Sequence, residues 1–324
     1  MKIEKNEVVY TEHKYSLKEN IRRNKFAYAL IAPAIVAMLI VQLIPMAQGL
    51  YFSVLKLNQF TLKKFLSAPF AGFENFNRVL FDPSSNMRSG FLEALRNTGI
   101  YAVICSFMVL AIGLAAAMAV NREFKFRGLA RTLLLTPWVV PSYVVGMLWG
   151  FMWQQDTGII NRILVDWLHI LPEKPFWLTG SNVLWAIIIP TIWRNVPLVM
   201  IMLLAGLQNI SEDYYEAAEI DGASGFQKFR HITLPLLKPI IGVQLLFAMI
   251  NYIYSYNIVS MMFGHGAGYP GKWGDLLMTN IQRNSFGTWN FGAGAAATIV
   301  VMICVLAVVG LWYRVFRDSL VVDE

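Results

Sequence analysis

An all-α integral membrane protein with six transmembrane helices is the fold class this sequence predicts, and three features predict it. Hydrophobic residues make up 56% of the chain and charged residues only 15%, against roughly 25% charged in soluble domains, and mean hydropathy is +0.51. Six apolar runs, at about 26–53, 97–120, 132–153, 183–208, 239–263 and 291–313, reach the roughly 20 residues a helix needs to cross a hydrocarbon core of about 30 Å. None shows the ten-residue alternation of a membrane β-barrel strand, and helices satisfy their own backbone in lipid.

Taken in chain order, residues 1–25 form a tail rich in cations (Lys2, Lys5, Lys14, Lys18, Arg22, Arg23, Lys25), too long and charged for a secretory leader. The connection after the second run carries Arg122, Lys125, Arg127 and Arg131. Cations mark cytoplasmic loops, so both of these face the cytoplasm, as does the segment 210–238 with Lys228, Arg230 and Lys238. The third-to-fourth connection has only Arg162 and Lys174, and the fifth-to-sixth only Lys272 and Arg283. The loop 54–96 breaks the pattern with Lys56, Lys63, Lys64, Arg78, Arg88 and Arg96. It mixes acids and aromatics and reads as a small external cap, at a length where the charge rule weakens. Residues 26–324 then form a single membrane domain.

The formal charge of +7 follows from this loop bias. No continuous basic stripe lies outside the tail, so a nucleic-acid partner is not expected. Cys105 and Cys304 both fall inside apolar runs and read as small core residues rather than a disulfide.

The segment from Glu216 to Pro239 is compact and turn-punctuated, set between two long apolar runs. Ser211 offers an N-cap, and Glu212 and Asp213 place acids in a first turn, so a helix is expected from about residue 212. Asp221-Gly222 stops it near Ile220, because glycine takes positive φ freely. Ser224 with Gln227 is a capping box that restarts the chain; Phe226, Phe229 and Ile232 share one side, and Pro235 is expected to end this second helix. Ala217, Ala218, Gly222 and Ala223 keep the first helix and the bend thin enough for a second backbone to approach. The arrangement is a docking knob.

Glu216-Ala217-Ala218, then Asp221-Gly222-Ala223, and later Phe229, Ile232, Leu234, Pro235 and Pro239 together resemble the EAA loop of transmembrane subunits of binding-protein-dependent ABC importers. Outside the loop the chain is similar to that family's sugar and glycerol-phosphate branch in Phe73-Glu74-Asn75-Phe76, Arg131-Thr132-Leu133, Pro137-Trp138, Pro141, Trp149 and Gly158-Ile159-Ile160-Asn161. The resemblance implies a type I ABC importer permease architecture with a cytoplasmic EAA coupling loop. It also implies a bacterial inner or plasma membrane location with both termini cytoplasmic. ABC ATPase subunits would hold the ATP and Mg, since this chain carries no cofactor of its own. A second transmembrane subunit, giving a heterodimer, and an extracytoplasmic solute-binding protein complete the expected partners. In that scheme Glu216 anchors the loop to the ATPase by a charge-assisted hydrogen bond, and Gly222 allows the tight bend. The alternative for Glu216 is a solvated helix charge.

Gly266, Gly268 and Gly271 spell Gly-x-Gly-x-x-Gly, and Gly271-Lys272 nearly completes a phosphate loop. Trp273 stands where a Ser or Thr hydroxyl must meet Mg²⁺, Pro270 removes an N–H, and topology places the segment outside, away from ATP. It reads as an external lid or binding-protein contact.

Arg194 lies in the middle of the fourth run between Pro190 and Pro197. A charge there costs roughly 2.5–3.5 kcal/mol on the insertion scale, and a loosened helix at mid-membrane is a common substrate-site device. Arg194 is either a pathway cation touching substrate or a gate, or a structural tie to another helix. Asn195 beside it, and Gln244, Asn251, Tyr252 and Asn257 on the fifth run, are further pathway candidates, since an amide in lipid must find a helix or a solute hydroxyl. Trp138, Trp149, Trp153, Trp185, Trp193, Tyr254 and Tyr256 fit sugar faces or, equally, the interfacial aromatic belt. His13, His169, His231 and His265 are scattered, with no His-Glu-x-x-His, Cys pair or Gly-x-Ser-x-Gly, which leaves no support for a membrane enzyme or a metal site.

The expected function is therefore the membrane pathway of an ATP-driven importer for a sugar, oligosaccharide or polyol phosphate. The rivals are an ion-gradient secondary transporter or channel, which has no use for the knob, and a membrane scaffold, which has no use for proline-interrupted, amide-bearing spans.

Overall fold

The computed structural model describes residue 19, residues 22–264 and residues 269–320. The tail cations up to Lys18 and the glycines Gly266 and Gly268 of the phosphate-loop mimic lie outside the described residues. Two compact units emerge, residues 1–51 and 52–324. Among the described residues the regular structure is helical apart from one isolated bridge, Leu55 to Phe70.

The first unit is built on α1 (Lys25–Ser53). A wide turn over Leu39–Leu43, closed by the Ile44 N–H on the Leu39 carbonyl, interrupts it. Pro45 follows directly; a π-turn there absorbs the ring and the missing donor that would otherwise break the helix.

In the second unit, residues 54–85 carry α2 (Glu74–Leu80) and fold on themselves. Asn75 Nδ2 donates to the carbonyls of Ser53 (2.8 Å) and Leu55 (2.9 Å), and Leu55 and Leu57 are buried. Glu74 pairs with Lys56 and Arg78, both at 2.7 Å, and the Lys56 hydrogen bond holds its carboxyl below the usual carboxylate value. The second span, α3 (Asn86–Asn121), begins eleven residues before the hydropathy boundary at 97, because its first turns pack on α2 and on α10 (Leu277–Gln282) rather than on lipid.

The third span is not continuous. It consists of α4 (Arg127–Val139) and α5 (Ser142–Met152), bent by 90°. Pro141 excludes the helical region for the residue before it, and Val140 is accordingly extended at φ −68°, ψ 123°. The fourth span, α6 (Val183–Gln208), matches its predicted limits and contains both Pro190 and Pro197.

After α7 (Asp213–Ile220) comes α8 (Gly225–Ile253), a single helical run of 29 residues. Pro235 does not end it. A π-turn over Phe229–Thr233, closed by the Leu234 N–H on the Phe229 carbonyl, sits just ahead of the proline, as in α1. The fifth span also stops ten residues short of 263: α8 ends at Ile253, and α9 (Asn257–Met262) is a separate helix packed on α5. The last span is α11 (Phe291–Leu320).

Small residues let these helices approach, as membrane packing requires in the absence of a hydrophobic driving force. A Cβ on Gly113 of α3 would meet Val199 of α6 at 3.0 Å, one on Gly206 of α6 would strike Leu237 and Ile240 of α8, and one on Gly242 of α8 would strike Phe316 of α11. Trp312 Nε1 also donates to the Gly242 carbonyl, at 2.6 Å.

One buried hydroxyl joins three elements. Tyr101 of α3 shares hydrogen bonds with Thr191 of α6 (2.9 Å) and Ser255 of the α8–α9 break (3.0 Å). Tyr101→Phe is expected to cost about 1–2 kcal/mol, two modest hydrogen bonds' worth, and to lower the melting temperature by roughly a few degrees. Thermal unfolding of the purified variant checks this.

Candidate functional site

A cavity of about 420 Å³ lies between the two broken spans. Two helical stripes form its walls. On α6 they are Thr191, Arg194, Asn195, Leu198 and Val199, and on α8 Gln244, Phe247, Ala248, Asn251 and Tyr252. Each set follows the spacing i, i+3, i+4, i+7, i+8, which is one face of a helix. The breaks close the remaining sides with Trp138 and Ser142 on one, and Tyr254, Ser255, Tyr256 and Asn257 on the other. Tyr101 and Ile258 complete the lining.

All six residues singled out as pathway candidates, Arg194, Asn195, Gln244, Asn251, Tyr252 and Asn257, line this one space. Their roles differ in detail. Arg194 Nε donates to the Val140 carbonyl at 3.1 Å, the group that Pro141 frees from helical bonding, so the guanidinium ties α6 to the bend of the third span. Among the described residues its terminal nitrogens have no protein acceptor, and the residue lines the cavity. Arg194 is thus a structural tie that also lines the cavity. Asn195 Nδ2 bonds the Thr191 carbonyl (2.7 Å) and Asn251 Nδ2 the Phe247 carbonyl (2.8 Å), which leaves each amide oxygen as an acceptor. Asn257 Nδ2 reaches Ser142 Oγ at 3.3 Å across the two breaks.

Among the described residues no carboxylate is in the lining. Amides, hydroxyls, aromatic faces and one cation make a surface that hydrogen-bonds hydroxyl groups and stacks on C–H faces. Of the other aromatics, Trp149 meets Trp153 and Trp193, Trp153 meets Trp177 while donating to the Ala186 carbonyl, and Trp185 is exposed.

The knob is the second assembly. α7 begins at Asp213, one residue later than expected, with Glu212 already at helical dihedrals; the Ser211 hydroxyl accepts from the Asp213 N–H at 3.4 Å and donates to the Asp213 carboxylate at 3.1 Å. Asp213 and Glu216 lie in the first turn. Gly222 bends the chain at φ +76°, and the Ser224–Gln227 capping box is complete. Ala217 and Glu216 are exposed, Ala218 and Ala223 half-buried, and Asp221, Leu234 and Pro235 exposed. Among the described residues the Glu216 carboxylate has no partner. The knob also exposes Ile220 at 88% and Phe226 at 69%. Tyr215 ties α7 to α8 through Thr233 at 2.9 Å.

Sequence reasoning passed over Tyr101, Ser142, Thr191 and Ser255 of the cavity, and Ile220 of the knob surface. Polar residues at stripe spacing within α6 and α8 were the available signal. It also passed over a buried network next to the second break: Asp275 accepts two hydrogen bonds from Arg283 (2.6 and 3.1 Å), one from Asn280 (2.8 Å) and one from Thr279 (2.9 Å). Asn97 of α3 donates to the Asp275 carbonyl at 3.1 Å.

Comparison with known proteins places this geometry. Residues 109–321 match the family model described as binding-protein-dependent transport system inner membrane component. The trehalose/maltose transport system permease protein MalF of Thermococcus litoralis is 32% identical over 305 residues, 93% of this chain and 96% of that protein. The sulfoquinovosyl glycerol transport system permease protein SmoG of Agrobacterium fabrum is 32% identical over 90% of this chain and 91% of its own length. The sn-glycerol-3-phosphate transport system permease protein UgpA of the same organism is 29% identical over 89% and 93%. A chain from the crystal structure of a bacterial ABC transporter that imports the acidic polysaccharide alginate superimposes with a TM-score of 0.73 at 22% identity, covering 93% of this chain and 98% of that one. The helical bundle with its broken spans is therefore the fold of an ABC importer permease, and the chain belongs to the family of binding-protein-dependent transport system inner membrane components.

Proposed function

We propose that the cavity receives a polyhydroxylated solute, a sugar, oligosaccharide or polyol phosphate, and that α7 with the start of α8 is the handle by which a partner ATPase moves the cavity wall. One observation carries this reading: α8 belongs to both places. It starts inside the knob at Gly225 and supplies Gln244, Asn251 and Tyr252 to the cavity. From Lys228 to Asn251 is roughly 35 Å at 1.5 Å per residue, so a displacement of the knob reaches the solute through a single piece of secondary structure. The relatives named for trehalose/maltose, sulfoquinovosyl glycerol and sn-glycerol-3-phosphate support the solute class, and the lining without carboxylates tolerates both neutral and anionic members of it.

The remaining parts follow from this reading. ATP and Mg belong to the partner ATPase, Glu216 and Gly222 to the contact with it, and a second, similar membrane subunit supplies the other half of the pathway. The knob and both termini face the cytoplasm, and a binding protein delivers solute from the other side. The test is uptake into proteoliposomes containing the assembled complex. Uptake of a disaccharide or polyol phosphate that requires internal or external ATP on the knob side, and ignores an uncoupler, is expected; uptake that follows an ion gradient without ATP overturns the proposal. In the same assay Arg194→Leu, which frees the Val140 carbonyl and removes the cavity's cation, is expected to lower uptake at least about tenfold with normal membrane insertion. Unchanged uptake removes Arg194 from the pathway.

A further inference from the structure

A second space, of about 370 Å³, opens where α3 and α6 end and α8 begins, away from the solute cavity. Its chemistry is divided. Met118, Leu207 and Phe229 make an apolar floor, while Arg122, Lys228 and the Asn121 amide stand at its rim. No Asp or Glu is in the lining, and among the described residues Arg122 has no ion pair. Lys228 pairs with Glu219 at 3.4 Å, but that acid is 75% exposed and turned to solvent, a weak competitor for the ammonium. The place matters as much as the composition. The apolar runs of α3 and α6 stop here, at Asn121 and Gln208, so the rim lies at headgroup level and the floor at the level of the first acyl carbons.

We propose that this pocket binds the phosphate headgroup of an anionic phospholipid, with Arg122 and Lys228 on the phosphate and an acyl chain along Met118, Leu207 and Phe229. Two cations over an apolar floor between helix ends fit a headgroup whose charge and hydrocarbon are joined, which a free solute anion lacks. An occupant here touches both the end of α3 and the first turns of α8, next to the knob, so the lipid would brace the handle against the bundle.

The experiment uses the complex containing this chain, purified in detergent and exchanged into nanodiscs of phosphatidylcholine with 20% phosphatidylglycerol as a ~1:4 mixture. Phosphatidylglycerol retained after delipidation is read by native mass spectrometry. Retention by the parent, and a roughly thirty-fold weaker retention by Arg122→Gln/Lys228→Gln at about fivefold per cation, is the expected result. Lys125→Gln/Arg127→Gln, nearby but outside the lining, should retain the lipid as the parent does. Equal retention by the first pair of substitutions overturns the proposal, as does displacement of the lipid by about 10 mM inorganic phosphate, which would mark a free-anion site. If the first variant fails to assemble, a photoactivatable phosphatidylglycerol is used on the parent complex. Crosslinks within 118–122 and 225–229 are expected, and crosslinks confined to other surfaces reject the site.

Discussion

Gly222→Val is expected to reduce ATP-driven uptake by at least about twentyfold while leaving the amount of inserted chain unchanged. Gly222 sits at φ +76°, a region in which a β-branched residue is strained by roughly 1–2 kcal/mol. Space is not the obstacle, since nothing lies within 4 Å of a Cβ built there. The strain is relieved by reshaping the turn between α7 and α8, where Asp221, Gly222 and Ser224 are exposed and Ala223 is half-buried, so global stability changes little. The proposed contact with the ATPase has no such freedom, because Glu216, Ala217 and Ile220 are presented to the partner only by this bend. Gly222→Ala, less strained and not branched, should fall between the parent and the valine variant. Uptake and solute-stimulated ATP hydrolysis in proteoliposomes, with the chain quantified in the membrane, measure both. Full activity of the valine variant would remove the knob from the coupling mechanism.

Asp275→Ala should destabilise the chain by about 3 kcal/mol, the largest effect expected of any single substitution outside the apolar core. Asp275 is 1% exposed and is the shared acceptor of Arg283, Asn280 and Thr279. Removing one member of a buried pair leaves the other charge uncompensated, at a cost of roughly 3–5 kcal/mol. The Arg283 side chain is 35% exposed and stacks on Tyr269 with its guanidinium carbon 4.2 Å from the ring centroid, so water and the ring recover part of the loss and the lower figure applies. Combining the substitution with Arg283→Gln should restore a substantial fraction, since no buried charge is then stranded. Thermal unfolding of the two single variants and the double variant forms the cycle that measures the coupling. Additive losses would show that the pair carries no interaction energy.

Hydropathy located the uninterrupted span α6 and misjudged those that are broken or extended by packing. α6 occupies its predicted limits as one uninterrupted helix that carries both Pro190 and Pro197 in its interior. The third span broke at a signal that was present, Pro141, whose effect on Val140 is local chemistry. The break at 254–256 had no such signal. It is held by Tyr101 on Ser255 and by α9 seating its Ile258 carbonyl against Gly146 of α5, contacts between residues far apart in the chain. The knob was readable because caps and positive-φ glycines act within four residues, whereas Pro235 was misread because a π-turn, rather than a helix end, took up its missing donor. For the cavity, residue type picked out Arg194 and the amides, but their convergence depends on how α6 and α8 are turned toward each other. Asp275 and Arg283 stayed hidden because the intervening helix α10 was not foreseen, and without it nothing brings position 275 to position 283.

Pro235 and Pro239 stand four residues apart on α8, so two neighbouring rungs of the hydrogen-bond ladder are missing on the same side. Bending stiffness is lowest at that point. Past residue 239 the helix runs without a further proline to Ile253. Compliance is thereby confined to a short collar between the knob and the cavity, so the stretch carrying Gln244 and Asn251 changes its angle to the knob as one stiff piece rather than bending along its length.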